Sequence, residues 1–268
     1  MDNRPIGVFD SGLGGLTVLK EIMELLPAES IVYFGDSGRA PYGTKSSETV
    51  TKYAFQNIRF LLGQDIKLIV IACNTASAYS YNMIKNSFDI PTIEVVEPGA
   101  VTAVRETLNK KIGVIATPAT VNSGAYEKAI RDIDNSIEIF SKACPLFVQL
   151  VEEGWWENDI ALMIAEEYLG TLKYKGIDTL VLGCTHYPLL QKTISKVMGD
   201  GVKLVSSAME AANAVKRIVT ERQIERNAEL KPLYSYYTSD SVDKFVSLGG
   251  IILNSTIKSA SKVDIEKY

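Results

Sequence analysis

A chain of 268 residues, 46% hydrophobic and 22% charged, has the composition of an ordinary soluble globular protein, long enough for one large domain or two compact lobes. Its net charge of −4 leaves no basic footprint, so no nucleic-acid partner is expected, and no apolar run approaches the ~18 residues that span a membrane. The first residues lack a secretory apolar core, and three widely spaced cysteines do not make a disulfide framework, so a reducing, cytoplasmic setting is expected.

In chain order, Ile6–Phe9 reads as a strand ending at Asp10-Ser11-Gly12-Leu13-Gly14-Gly15, and a helix follows over Leu16–Leu26. Ile31–Phe34 is a second strand, running into a turn-rich loop, Gly35 to Gly43. A helix from Ser46 to about Gly63 leads to a strand over Leu68–Ala72, a helix over Ala76–Phe88 and a strand from Thr92 that stops at Glu97-Pro98-Gly99. The pattern then restarts. Ile112-Gly113-Val114 repeats Ile6-Gly7-Val8, and Ile137–Phe140 repeats Ile31–Phe34 at the same offset. A helix over about 158–175 precedes a strand ending at Cys184, followed by a helix over Leu189–Met198 and a strand over Val202–Val205.

Alternating strands and helices of this kind predict parallel sheets with right-handed crossovers. The fold expected is α/β: two similar lobes related by pseudo-twofold duplication, each a mostly parallel sheet flanked by helices, with the site between them. Residues 1–98 plus 207–268 form the first lobe and 99–206 the second. The tail supplies a helix over Ser206–Arg222, a strand over Leu233–Thr238, a helix over Ser241–Leu248 and an apolar Ile251–Leu253, packed back on the first lobe. Residues 256–268 are polar and read as an end that frays.

Two apolar runs, Leu68–Ala72 and Leu180–Gly183, stop at Cys73 and Cys184, at the strand ends where parallel sheets bind ligands. One cysteine in a buried strand is usually a small hydrophobe; a pair at matching ends, followed by Asn74-Thr75 and Thr185-His186, points to chemistry. An ordinary thiol needs about 2 kcal/mol to ionise at pH 7, so neighbours that exchange protons or helix N-termini must assist. His186, the chain's one histidine, suits a proton relay. Zinc held by Cys73, Cys144, Cys184 and His186 is the rival reading, but the chain has no close Cys-x-x-Cys pair, so no metal is expected.

The Gly12–Gly15 turn lacks the third glycine of a dinucleotide loop and the Gly-Lys of a phosphate loop, which leaves a helix N-terminus able to take an anion, or a plain turn. Asp10 and Asp36 each sit where a helix cap and a functional acid are equally served. Ser11, Asn74, Thr75, Thr117, Thr120 and Thr185 offer donors for carboxylates and an amine, and no arginine cluster marks a phosphorylated substrate. Glu152–Trp156 reads as a loop, serving an interface or a lid.

Two thiols across one carbon suit a proton-in, proton-out inversion of a stereocentre. Asp10–Gly15, Pro41-Tyr42-Gly43, Ala72–Ser77, Cys144-Pro145, Glu152–Gly154 and Gly183–Pro188 together resemble the glutamate racemases of the aspartate/glutamate racemase family, over about residues 6–210. The resemblance implies cofactor-independent interconversion of L- and D-glutamate, the latter for peptidoglycan, in a cytoplasmic enzyme without cofactor or metal. It implies Cys73 and Cys184 as the two bases, Asp10 assisting the first, and His186 with Glu152 the second. It also implies Asp10, Ser11, Pro41, Tyr42, Gly43, Asn74, Thr75, Thr117, Thr120, Thr185 and His186 around the substrate. Gln149 stands where the family commonly has proline, and Ser206 where it commonly has aspartate. The nucleotide-sugar-activated members carry an N-terminal extension, so with the first strand at the start of this chain that control is not expected. A homodimer is expected as the commonest assembly. The readings set beside this one are a racemase for aspartate or another amino acid, and a non-catalytic two-lobed protein that binds a ligand or metal.

Overall fold

The computed structural model describes residues 1–268, and its strands form two all-parallel sheets. In the first half, β1 (Ile6–Asp10), β2 (Ile31–Gly35), β3 (Leu68–Ile71) and β4 (Thr92–Glu94) alternate with α1 (Leu16–Leu25), α2 (Ser47–Leu62) and α3 (Asn74–Ser87). The helix α4 (Val96–Glu106) then crosses to β5 (Lys111–Ala116). Next come α5 (Pro118–Asn122), α6 (Ala125–Ile133), β6 (Glu138–Ala143), α7 (Leu146–Glu152), α8 (Asp159–Lys173), β7 (Thr179–Gly183), α9 (Gln191–Met198) and β8 (Lys203–Ser206). The chain returns through α10 (Ser207–Glu221), β9 (Tyr234–Thr238), α11 (Val242–Leu253) and β10 (Ser261–Lys262). The strand orders are β10-β9-β2-β1-β3-β4 and β6-β5-β7-β8, so the four central strands of each half are wound identically.

The central strands β1, β3 and β7 are buried on both faces, which is why they read as unbroken apolar runs rather than alternating ones. In β1, Ile6 and Val8 enter a core shared with α1, α10 and α11, while Phe9 enters the core under α2 and α3. In β5, Ile112 and Val114 face α4 and α6, and Ile115 faces the core of α7, α8 and α9. Helices α10 and α4 pack on each other and join the halves.

The duplicated Ile-Gly-Val has a packing cause. A Cβ on Gly7 would stand 2.6 Å from Ile66 Cδ1, and one on Gly113 would stand 2.5 Å from Ile177 Cδ1. Gly7 lies opposite Ile69 and Gly113 opposite Leu180, so each glycine makes room for an isoleucine three residues before its strand partner. Counting on from those partners, Cys73 and Cys184 are each four residues further, which makes them equivalent positions. The second-strand match is shifted: Ile6 faces Ile31, but Ile112 faces Ile139, two residues beyond the Ile137 of the sequence repeat. An even shift keeps side chains on the same face of the sheet, so the pattern survives it.

Several segments differ from expectation. Glu97-Pro98-Gly99 does not end a strand; it lies in the first turn of α4, where proline's missing N–H costs nothing. Helices α4, α5 and α6 are additional to the expected elements; α5 has only five residues and α6 buries just Tyr126 and Ile130. Ile251–Leu253 is the last turn of α11 rather than a separate end. Residues 256–268 are not frayed. Ser261–Lys262 pairs with β9, Ile257 and Ile265 are buried, and the Tyr268 ring meets Phe60 edge-on at 5.5 Å. A few apolar anchors in a polar segment are enough to dock it. No helix is long and apolar enough to cross a membrane.

Candidate active site

Parallel winding brings the carboxyl ends of β1, β3, β5 and β7 to one cleft between the two sheets. Helix α3 begins at Asn74, two residues before the expected Ala76, so Cys73 occupies its N-cap position, at the positive end of the helix dipole. The Ala76 N–H favours the Cys73 thiolate, as does the Ser11 hydroxyl, 3.6 Å from Sγ, which accepts from the thiol and donates to the thiolate. Burial wins: it pushes the Cys73 thiol up to about 12, with the charge of Asp10 adding to the rise. Cys184 lines the same cleft, with its Sγ 3.8 Å from His186 Nδ1.

The second thiol thus heads a relay. His186 Nε2 is 3.2 Å from Glu152 Oε1, and Lys244 Nζ donates to Glu152 Oε2 at 3.1 Å. Burial opposes charge on His186, but Cys184 and Glu152 outweigh it and raise the imidazole to about 10. Burial likewise opposes the Glu152 carboxylate, but His186 and Lys244 bring it down to about 2. Glu152 is the last residue of α7 rather than a loop residue. Trp156 behind it is tied down, its Nε1 donating to Val151 O at 3.0 Å, while Trp155 stays exposed.

The cleft is nearly closed, with a cavity volume of only about 20 Å³. Its lining contains Ser11, Pro41, Tyr42, Gly43, Cys73, Asn74, Thr75, Thr117, Glu152, Cys184, Thr185 and His186, all from the sequence reading. Asp10 and Thr120 stand one layer behind. Asp10 is fully buried, accepting from Gly12 N at 2.9 Å and Thr185 Oγ1 at 3.3 Å, and burial raises its pKa. Thr120 joins Thr75 and Thr117 in a triangle of hydroxyls, each pair 3.0 Å apart, that spans the two halves.

Tyr42 is placed differently from a free phenol. Its O–H is committed to Asp36 and receives Asn57 Nδ2 at 3.0 Å, with the ring in the core under α2. Asp36 is therefore the organiser of the Pro41–Gly43 loop. It also accepts from Arg39 Nε and Ser239 Oγ, both at 2.8 Å. Arg39 in turn reaches Gln56, Asn57 and Glu266.

The glycine turn is shaped by close approach. A Cβ on Gly14 would overlap Thr185 Oγ1 and His186 Nδ1, and one on Gly15 would overlap the Asp10 side chain. A Cβ on Gly43 would overlap Thr117. Gly14 and Gly43 let the two halves close on each other. Thr17 reinforces the contact, donating to Thr185 O at 3.0 Å.

The sequence reading missed Ala40 and Val148 in the lining, and Lys244 beyond Glu152. Nothing local marks Lys244, whose partner is 92 residues away. Cys144 is buried apart from the cleft, its carbonyl receiving the Tyr187 hydroxyl, and no group of three His, Cys, Asp or Glu side chains is arranged to hold a metal. Ser206 caps α10, accepting from Ala208 N at 3.3 Å, a role aspartate fills equally well. Gln149 is exposed on α7, away from the lining.

Residues 6–215 match the Asp/Glu/Hydantoin racemase family. The chain is 46% identical over 263 residues to a glutamate racemase of Geobacter metallireducens, covering 98% of this chain and 97% of that one. It is also 46% identical over its full length to the full-length glutamate racemase of Thermoanaerobacter pseudethanolicus. Among solved structures, glutamate racemase from Francisella tularensis in complex with D-glutamate superposes with a TM-score of 0.94 at 41% identity, covering 100% of both chains. An aspartate racemase from Picrophilus torridus shares the fold at a TM-score of 0.56 and 19% identity, over 82% of this chain and 99% of that one. A matched profile over most of the chain, with two thiols at equivalent strand ends of a duplicated α/β fold, places this chain in the Asp/Glu/hydantoin racemase family.

Proposed function

We propose that the protein is an isomerase that interconverts L- and D-glutamate by a two-thiol proton transfer, supplying D-glutamate for peptidoglycan. The observation that carries this is the pair Cys73 and Cys184, equivalent in the duplication and both lining one closed cleft. Glutamate as substrate is supported by the names of the 46%-identical relatives and by the bound D-glutamate of the Francisella tularensis enzyme.

One sulfur, as thiolate, takes the α-proton from one face while the opposite thiol delivers a proton to the other. The electron pair of the broken C–H bond passes into the α-carboxylate and returns to form the new bond. A carbon acid beside a carboxylate is very weak, so oriented donors must stabilise the growing charge. Asn74, Thr75, Thr117 and Thr185 provide them, with the N-terminus of α3. A buried thiol at about 12 is a costly base. The substrate's ammonium, arriving beside it, offsets that burial. On the other face, His186 and Glu152 hold and return the proton of Cys184.

The lobes, 1–98 with 207–268 and 99–206, are the units that must part to admit substrate, because Cys73 and Cys184 are 5% and 7% exposed. Cys73→Ala and Cys184→Ala, assayed separately by circular dichroism and by solvent-deuterium incorporation at the α-carbon, test the mechanism. Each is expected to abolish racemisation. Wild-type rates in either would end the two-base reading, and faster turnover of enantiopure aspartate than of glutamate would overturn the substrate.

A further inference from the structure

Asn74 directly follows Cys73, is 2% exposed and lines the cleft. Its two side-chain polar atoms are in different situations. Oδ1 accepts a 2.6 Å hydrogen bond from the Tyr126 hydroxyl, whereas Nδ2 is buried without a partner in the protein. A buried N–H without an acceptor is costly, and an acceptor brought into the cleft relieves that cost. An amide NH2 can only donate, so its partner is an oxygen and not an ammonium.

Tyr126 reaches both thiol turns at once. It sits on α6, 3% exposed, and its ring rests on Gly183, the residue before Cys184; a Cβ there would stand 3.0 Å from Cε2. Its hydroxyl meets the residue after Cys73. Gly99, in α4, leaves space for the same ring, since a Cβ there would be 3.3 Å from the hydroxyl oxygen. The phenol's own proton goes to Asn74 Oδ1, since an amide oxygen can only accept. The contact joins α6 to α3, so it forms only when the two halves are together.

We propose that Tyr126 is a positioning residue: its hydroxyl occupies Asn74 Oδ1, so that the amide can turn only Nδ2 toward the cleft, as a donor to a substrate carboxylate oxygen. This rests on the racemase reading above. As the α-proton leaves, that oxygen gains charge and the oriented N–H holds it more tightly, so Tyr126 acts on turnover through Asn74 without touching substrate.

The test is a double-mutant cycle in the full-length protein with Tyr126→Phe, Asn74→Ala and the pair, assayed with L- and D-glutamate. Rates are also read from α-deuterium incorporation by NMR over days, which keeps slow variants measurable. Phenylalanine preserves the ring on Gly183 and Gly99 and removes only the hydroxyl. Tyr126→Phe is expected to lower kcat/KM about tenfold, as the loss of one buried hydrogen bond does. In the Asn74→Ala background the same change is expected to have less than a twofold effect, because the amide it orients is gone. Wild-type kcat/KM in Tyr126→Phe overturns the proposal. So does an undiminished loss in the Asn74→Ala background, which would make Tyr126 a packing residue. Absence of racemisation in the wild-type protein itself would instead refute the racemase reading.

Discussion

Replacing Gly14 with alanine puts one methyl group into the seam between the lobes. Gly14 has no positive φ, so alanine fits its backbone and the effect is purely steric. The added carbon would stand 2.7 Å from His186 Cε1 and nearer still to His186 Nδ1 and Thr185 Oγ1. Relief to an ordinary carbon contact needs a movement of about 1 Å. Neither core is touched, so the second lobe backs away or the imidazole turns. The Cys184–His186 contact, already 3.8 Å, lengthens in either case. Overpacking of this kind costs about 1–3 kcal/mol, which corresponds to a loss of roughly 5- to 150-fold in kcat/KM. The loss must be equal from L- and D-glutamate, because enantiomers have the same free energy in water. Melting should change little, since opening the cleft relieves the overlap. Gly201→Ala, at a site with nothing within 4 Å, is the control and should match wild type. Initial rates from both enantiomers by circular dichroism, with calorimetric melting, decide it. Activity of Gly14→Ala within twofold of wild type would refute the idea that the glycine turn exists for lobe closure.

Other perturbations follow from the same geometry. Asp36→Asn removes the charge that pairs with Arg39 in a buried setting and is expected to destabilise the protein by about 3–5 kcal/mol. Its KM should rise as the Pro41–Gly43 loop loses its anchor, and an unchanged melting temperature would refute this. Lys244→Met, in an exposed pair, is expected to alter stability by under about 1 kcal/mol yet raise KM, because Glu152 loses one of its two partners. The salt sensitivity of wild-type kcat/KM should weaken in that variant; an unaltered salt profile counts against a role for the pair. The His186–Glu152 pair also sets a pH window for stability. His186, raised from 6.5 to about 10, contributes fully below pH 6.5 and loses its contribution as pH rises through 10. Glu152, lowered from 4.5 to about 2, contributes fully above pH 4.5 and loses it as pH falls through 2. The melting difference between wild type and His186→Asn should therefore be largest between pH 4.5 and 6.5. A difference that does not vary with pH would show that the pair is not charged in the folded protein.

What the sequence by itself determined is what local chemistry encodes. Strands buried on both faces must be continuous apolar runs, so β1, β3, β5 and β7 were legible, and the cysteines at their ends with them. The Ile-Gly-Val repeat was legible because a glycine must admit an isoleucine in each lobe. Most of the cleft residues lie within a few positions of those strand ends, so motif and site coincide. The tertiary structure alone decided the rest. It showed that the Tyr42 hydroxyl belongs to Asp36, that α5 and α6 carry Thr120 and Tyr126 to the seam, and that Lys244 reaches Glu152 from the returning tail. Each depends on a partner distant along the chain or on the lobes meeting. A side chain's type limits which bonds it can make, but only the packed fold decides which partner it finds.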